Sequence, residues 1–106
     1  MKFLTIIKDK DLFFTLPPEM QRQLCEGEAA FIDKYRKAGK FQVFYNMPGL
    51  KGGIAMFEVE SGEEEDRILL EYPMYPFVDV EMYALSDYDA HARALKEAYQ
   101  RWLAKK

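Results

Sequence analysis

Glu28 is the residue in this chain best placed to move a proton. On a helical wheel it falls between Leu24 and Ile32, close to Phe31 and Tyr35, so an acid lies within an apolar arc. A carboxylate held there loses part of its hydration, its pKa rises, and it becomes a general acid or base near neutral pH. The plainer alternative is that it leans into solvent or pairs with a cation. Asp79, Glu81 and Tyr83 form a second constellation on one strand face. Carboxylates at i and i+2 can share a proton or orient a substrate hydroxyl, although cross-strand pairing with Lys or Arg is their commoner fate. His91 is the only histidine, set beside Leu95 and Trp102. With no second His or Cys near it, a packed or interface role is expected and a transition-metal site is disfavoured. Cys25 has no histidine in register and reads as inert. The Pro48–Gly53 segment lacks the strand-loop-helix setting of a phosphate loop and reads as a hairpin turn. No Gly-x-Ser-x-Gly, Cys-x-x-Cys or dinucleotide fingerprint occurs.

The elements that position these groups follow from periodicity. Phe3 to Ile7 is a central strand. Leu12 to Pro18 is an oddly apolar loop, folded over a pocket mouth, packed on a second subunit, or simply buried as a connection. Pro18 opens a helix to about Ala38 with Gly39 as its stop, and its stripe is Met20, Leu24, Gly27, Phe31, Tyr35 and Ala38. Gly27 within that stripe implies close approach to another backbone. Phe41, Val43, Tyr45 and Met47 alternate against Gln42, Phe44 and Asn46, and with Ile54 to Val59 they make a hairpin. Ser61 and Glu64 form a capping box for a helix that turns Ile68, Leu69 and Tyr72 inward and stops before Pro73, with Glu63, Glu65 and Asp66 complementing its dipole. In the strand that follows, Val78, Val80, Met82 and Ala84 face one way, and Phe77, Asp79, Glu81, Tyr83 and Leu85 the other. Carboxylates among aromatics there predict a lined cavity or a partner surface. Ser86 or Asp87 caps a last helix with the stripe Tyr88, Ala92, Leu95, Tyr99 and Trp102.

The order βαββαβ plus a C-terminal helix is the α+β, ferredoxin-like arrangement, an antiparallel sheet with helices on one face. The 106 residues form one domain, with a core of about 1–86 and the last helix over about 87–105. An apolar content of 49% excludes a disordered tail, and a net charge of −3 leaves no basic footprint for nucleic acid or anionic lipid. One cysteine permits no internal disulfide, so a reduced, cytoplasmic setting is expected. The first eight residues are too short for a signal sequence, and no run reaches the length of a membrane span. The uncovered aromatic sheet face predicts a second subunit as its cover, with a hollow between the two that holds Glu28.

With the helix, Gly39-Lys40-Phe41, the hairpin and Leu70 to Glu81 in place, the chain resembles the muconolactone isomerase family from about Leu24 to Leu85. The resemblance rests on Glu28, Gly39, Gly49, Ser61 and the segment Tyr72-Pro73-Met74-Tyr75-Pro76-Phe77-Val78-Asp79-Val80-Glu81. It implies a dimeric α+β barrel, often assembled further, with a pocket between sheet and helix. It also implies isomerisation of a small unsaturated lactone or cyclic metabolite by proton transfer, without a cofactor or metal. Glu28 matches the family's acid. Where the family's strand and loop carry Arg and then His, this chain has Asn46 and Leu50. Asn46 still donates a hydrogen bond to an oxyanion, and the adjacent Lys51 can supply charge. Catalytic roles are therefore expected of Glu28 and Asn46, and substrate contacts of Tyr45, Lys51, Asp79, Glu81 and Tyr83. Three alternatives share the scaffold: a non-catalytic binding protein, a cyclase or dehydratase, and a cofactor-free oxygenase. The single histidine disfavours haem.

Overall fold

The computed structural model describes residues 1–105. The apolar run near the N-terminus forms β1 (Lys2–Asp9), flanked by β3 (Gly52–Glu58) and β4 (Val78–Leu85), with β2 (Phe41–Met47) beyond β3. The order is β2-β3-β1-β4 and every pair is antiparallel. Between the strands run α1 (Asp11–Phe14), α2 (Pro18–Lys37) and α3 (Gly62–Glu71), and α4 (Tyr88–Ala104) ends the chain. This is the expected α+β, ferredoxin-like arrangement.

The strand period sorts side chains onto two faces. Phe3, Thr5 and Ile7 are buried on the helix side, where Phe57, Phe31, Ile68 and Tyr72 complete the core. Phe31 is its hub, with ring centroids 5.7 Å from Phe41 and 5.2 Å from Tyr72. Leu4 and Ile6 lie on the outer face, which no helix covers among the described residues.

Three local features depart from the sequence pattern. A bulge between Phe41 and Val43 inserts one extra residue, so Phe41 pairs with Phe57 while Val43 pairs with Met56. Beyond it the faces exchange: Phe44 and Asn46 join Phe41 on the helix side, and Tyr45 turns outward opposite Ile54. The apolar segment after β1 is a one-turn helix, α1, which buries Phe13. Glu65 does not serve the helix dipole at the surface; it is fully buried, and neither carboxylate oxygen has a hydrogen-bond partner.

Both expected N-caps form, but the capping box is only half made. The Ser61 hydroxyl accepts from the Glu64 amide at 3.2 Å, and the Asp87 carboxylate accepts from the Ala90 amide at 2.8 Å. The Glu64 carboxylate accepts from the Glu60 amide and not from Ser61. The expected stripe of α4 is present but buries nothing within its own chain. The molecule is accordingly elongated, 66 × 28 × 23 Å.

Gly27 faces the ring of Pro73 and not a backbone, and a β-carbon there would meet it at 3.5 Å, an ordinary van der Waals distance. Gly27→Ala should therefore gain the helix propensity, about 1 kcal/mol, without a clash, and thermal melting should show it as a raised Tm. Burial pushes the Glu65 carboxyl from 4.5 to about 7. The protonated acid is thus the folded form's preference. Its stabilisation is complete below pH 4.5, where the unfolded chain is also protonated, and is lost as the pH climbs through about 7. Denaturant unfolding at pH 5 and pH 8 should show Glu65→Gln flattening that decline by up to about 3 kcal/mol.

Candidate active site

A cavity of about 150 Å³ opens between the helix-side face of the sheet and α2. Its floor is glycine. Gly53 lies opposite Ile7 and Asn46 in the ladder and lines the cavity, and a β-carbon there would stand 2.7 Å from the Tyr45 carbonyl oxygen. At Gly52 no other residue fits, because a β-carbon would stand 2.0 Å from the Ile7 carbonyl oxygen. Ile7 and Phe44 supply apolar wall, and Glu28, Tyr72, Asp9, Asn46 and Lys51 supply polar groups.

Glu28 enters from α2, half-buried. Its carboxylate accepts a hydrogen bond from the Tyr72 hydroxyl. Burial raises the Glu28 pKa, the Tyr72 bond opposes that rise, and the nearby Asp9 carboxylate adds to it. Tyr72 is pushed upward by its burial and by the same carboxylate, so it remains a hydroxyl donor. Asp9, at the end of β1, is also raised by burial, with Lys51 working against the shift. Its amide donates to the Lys51 carbonyl at 2.7 Å, which ties the strand end to the hairpin loop. Lys51 itself has a left-handed backbone, φ 52°, and carries its ammonium 4.8 Å above the Phe14 ring. The arrangement is a desolvated acid held by a phenol, a second carboxylate, one amide and one cation around a small hollow. Such a set can take a proton from carbon and stabilise the oxygen that becomes negative.

Of the residues expected at the site, Glu28, Asn46 and Lys51 come together here. Asp79, Glu81 and Tyr83 do not. They pair with Lys8, Ile6 and Leu4, whose side chains lie on the outer face, so the sheet separates them from the cavity. Tyr83 donates to Glu81 at 2.9 Å, and Asp79 lies 4.0 Å from Lys10. Tyr45 is also outward and well exposed, because of the bulge. The hollow is therefore on the helix side, as the family resemblance implied, and not on the sheet's uncovered side. Leu50 points into solvent, and His91 and Cys25 are likewise exposed. Cys25 is held above its ordinary pKa by partial burial, Glu28 and Asp9. Asp9 and Tyr72 were not anticipated as site residues. Asp9 reads in sequence as the break after a strand, and Tyr72 as one more inward aromatic before Pro73.

The sequence model of the family described as Muconolactone delta-isomerase matches residues 1–91. The chain belongs to the muconolactone delta-isomerase family. Membership makes it an isomerase-type enzyme. It is 29% identical over 85 residues to Muconolactone Delta-isomerase of Acinetobacter baylyi, covering 80% of this chain and 88% of that one. It is 24% identical over 78 residues to that of Rhodococcus opacus, covering 74% and 84%. The crystal structure of a muconolactone isomerase superposes with a TM-score of 0.69 at 22% identity, covering 83% of this chain and 91% of that one. A 5-chloro-2-hydroxyhydroquinone dehydrochlorinase from Burkholderia phenoliruptrix, in complex with 2,5-dihydroxybenzoquinone, has the same fold. Its TM-score is 0.64 at 16% identity, over 85% and 98% of the two chains.

Because the Tyr72 hydroxyl stabilises the ionised form of Glu28, Tyr72→Phe should raise the Glu28 pKa further. Carbon-13 NMR titration of the Glu28 carboxyl in the two proteins should show the midpoint moving to higher pH in the variant.

Proposed function

We propose that this protein isomerises a small unsaturated lactone or cyclic metabolite by moving one proton, with Glu28 as the base. The supporting observation is the Glu28 carboxylate held by Tyr72 within a hollow floored by glycine. In the proposed step, the Glu28 oxygen not engaged by Tyr72 takes a proton from a carbon made acidic by conjugation to the ring carbonyl. The C–H electron pair shifts into the conjugated system and the carbonyl oxygen becomes a dienolate. Asn46, through its amide N–H, and Lys51, through its ammonium, stabilise that oxygen. The protonated Glu28 then returns the proton to a different carbon, the negative charge leaves the oxygen, and the double bond has moved. Proton handling and hydrogen-bond donation are all the step requires, so side chains suffice without a cofactor.

The cavity's volume fits a single small ring. The substrate class is the one named for the relatives, and muconolactone and 2,5-dihydroxybenzoquinone are the first ligands to offer. We further read the working protein as a homodimer or larger homo-oligomer, because the sheet's outer face is apolar and, among the described residues, no helix covers it. A cytoplasmic setting agrees with the single cysteine. A second reading, a non-catalytic binding module, draws on the uncharged Asn46 and the outward Leu50, where the family carries basic residues.

Glu28→Gln should lower turnover by about 10²- to 10⁴-fold with the circular dichroism spectrum unchanged. The wild-type protein should incorporate deuterium into product or recovered substrate in heavy water. A ligand that raises the Tm without any C–H exchange would instead support the binding module.

A further inference from the structure

We propose that the cavity selects rings that carry no charge, and that Asp9 is the residue that turns acids away. The inference rests on the isomerase reading above and narrows its substrate class to lactones or cyclic enones without a free carboxylate. Among the described residues, three charged side chains line the cavity: Glu28 from α2, Asp9 from the end of β1 and Lys51 from the hairpin loop. Asn46 and the Tyr72 hydroxyl, the other polar lining groups, are neutral. In the proposed step Glu28 meets the substrate ionised, and Lys51 turns its ammonium to the dienolate oxygen. Asp9 has no part in that step. It is half-buried, and no cation neutralises it at contact among the described residues: Lys10 lies 4.0 Å from Asp79, and Lys51 rests over the Phe14 ring. The hollow thus has a surplus of negative charge and no spare cation for an acid on the ligand.

The reach of the Asp9 charge shows in its neighbours. It shifts proton loss at Glu28, Tyr72 and Cys25 to higher pH, so it opposes negative charge at each of these positions. A carboxylate on a bound ring would stand near the same groups and meet the same field. It has little room to withdraw, because the hollow holds only about 150 Å³ and Ile7 and Phe44 make its apolar wall. An unpaired carboxylate there gives up water without gaining a partner. A carboxamide of the same shape has no charge to repel, and its N–H can donate to either acid. Were Lys51 to take the ligand's carboxylate instead, the dienolate oxygen would be left with Asn46 alone. The field at longer range has the same sign. Residues 1–87 contain ten basic and sixteen acidic side chains, so an anion approaches the body of the molecule against its charge.

Muconolactone, which carries a free carboxylate, and the carboxamide of the same ring test the selection. Exchange of the ring C–H in heavy water gives a rate for each ligand, and isothermal titration gives each Kd. The wild-type protein should favour the amide over the acid by about tenfold or more in both measurements. Asp9→Asn keeps the backbone bond to the Lys51 carbonyl and should bring that ratio close to one, whereas Asp9→Glu should retain it. Lys51→Gln, which removes the cavity's cation, should slow both ligands and widen the ratio. Both ligands use Glu28, so a general loss of activity leaves the ratio unmoved. An acid that binds and exchanges as well as the amide would overturn the selection while leaving the isomerase reading standing. So would a ratio that Asp9→Asn leaves unchanged or, if that variant loses its native circular dichroism, one that Lys51→Gln fails to widen. Binding in the expected ratios without any C–H exchange would support the selection and overturn the isomerase reading. A protein that neither binds nor exchanges either ligand would overturn both.

Discussion

A single hydrogen bond, from the Tyr72 hydroxyl to the Glu28 carboxylate, organises this structure. Each partner alone would be poorly placed: a carboxylate in the apolar arc of α2 loses hydration, and a buried phenol needs an acceptor. Joined, they satisfy each other and fix α2 against the end of α3. Gly27 lies against the Pro73 ring one residue beyond Tyr72, and Phe31 packs on the Tyr72 ring from the next turn of α2. The geometry that holds the acid is therefore the same geometry that closes the core.

What the bond does not fix is the other wall of the cavity, and there the sheet takes over. The bulge at Gln42 re-aims every later residue of β2, so Asn46 faces Glu28 and Tyr45 does not. The left-handed Lys51 turns the loop back over the mouth, where Phe14 of α1 steadies its ammonium and Asp9 opposes its charge. Two short irregularities, each costing local regularity, thus bring Asn46 and Lys51 to the site.

Regular structure was legible in the sequence, and the irregular was not. The run Phe3 to Ile7, the Pro18 start and Gly39 stop of α2, and the caps at Ser61 and Asp87 all follow from local chemistry, and the structure has them. Glu28 was legible because helical period alone places it among Leu24, Phe31 and Ile32. The β4 alternation was also legible, but not which face meets the helices. That depends on register with β1, and a shift of one residue exchanges the two faces. The bulge in β2 has the same consequence and no marker beyond an ordinary Gln. Asp9 was invisible for a related reason: only the pairing of β1 with the hairpin carries it to the cavity.

Glu65 shows why geometry must decide among perturbed acids. Its carboxyl is the more deeply buried, raised to about 7, and by ionisation alone it would be the stronger candidate for chemistry. It lines no cavity that holds the site's other polar groups, and neither of its oxygens has a partner. Glu28 is shifted by the same cause, desolvation, yet it has a donor that orients it, a second carboxylate that tunes it and space in front of it. Burial makes an acid unusual in either case. Only at Glu28 does it also leave room for a molecule to give up a proton.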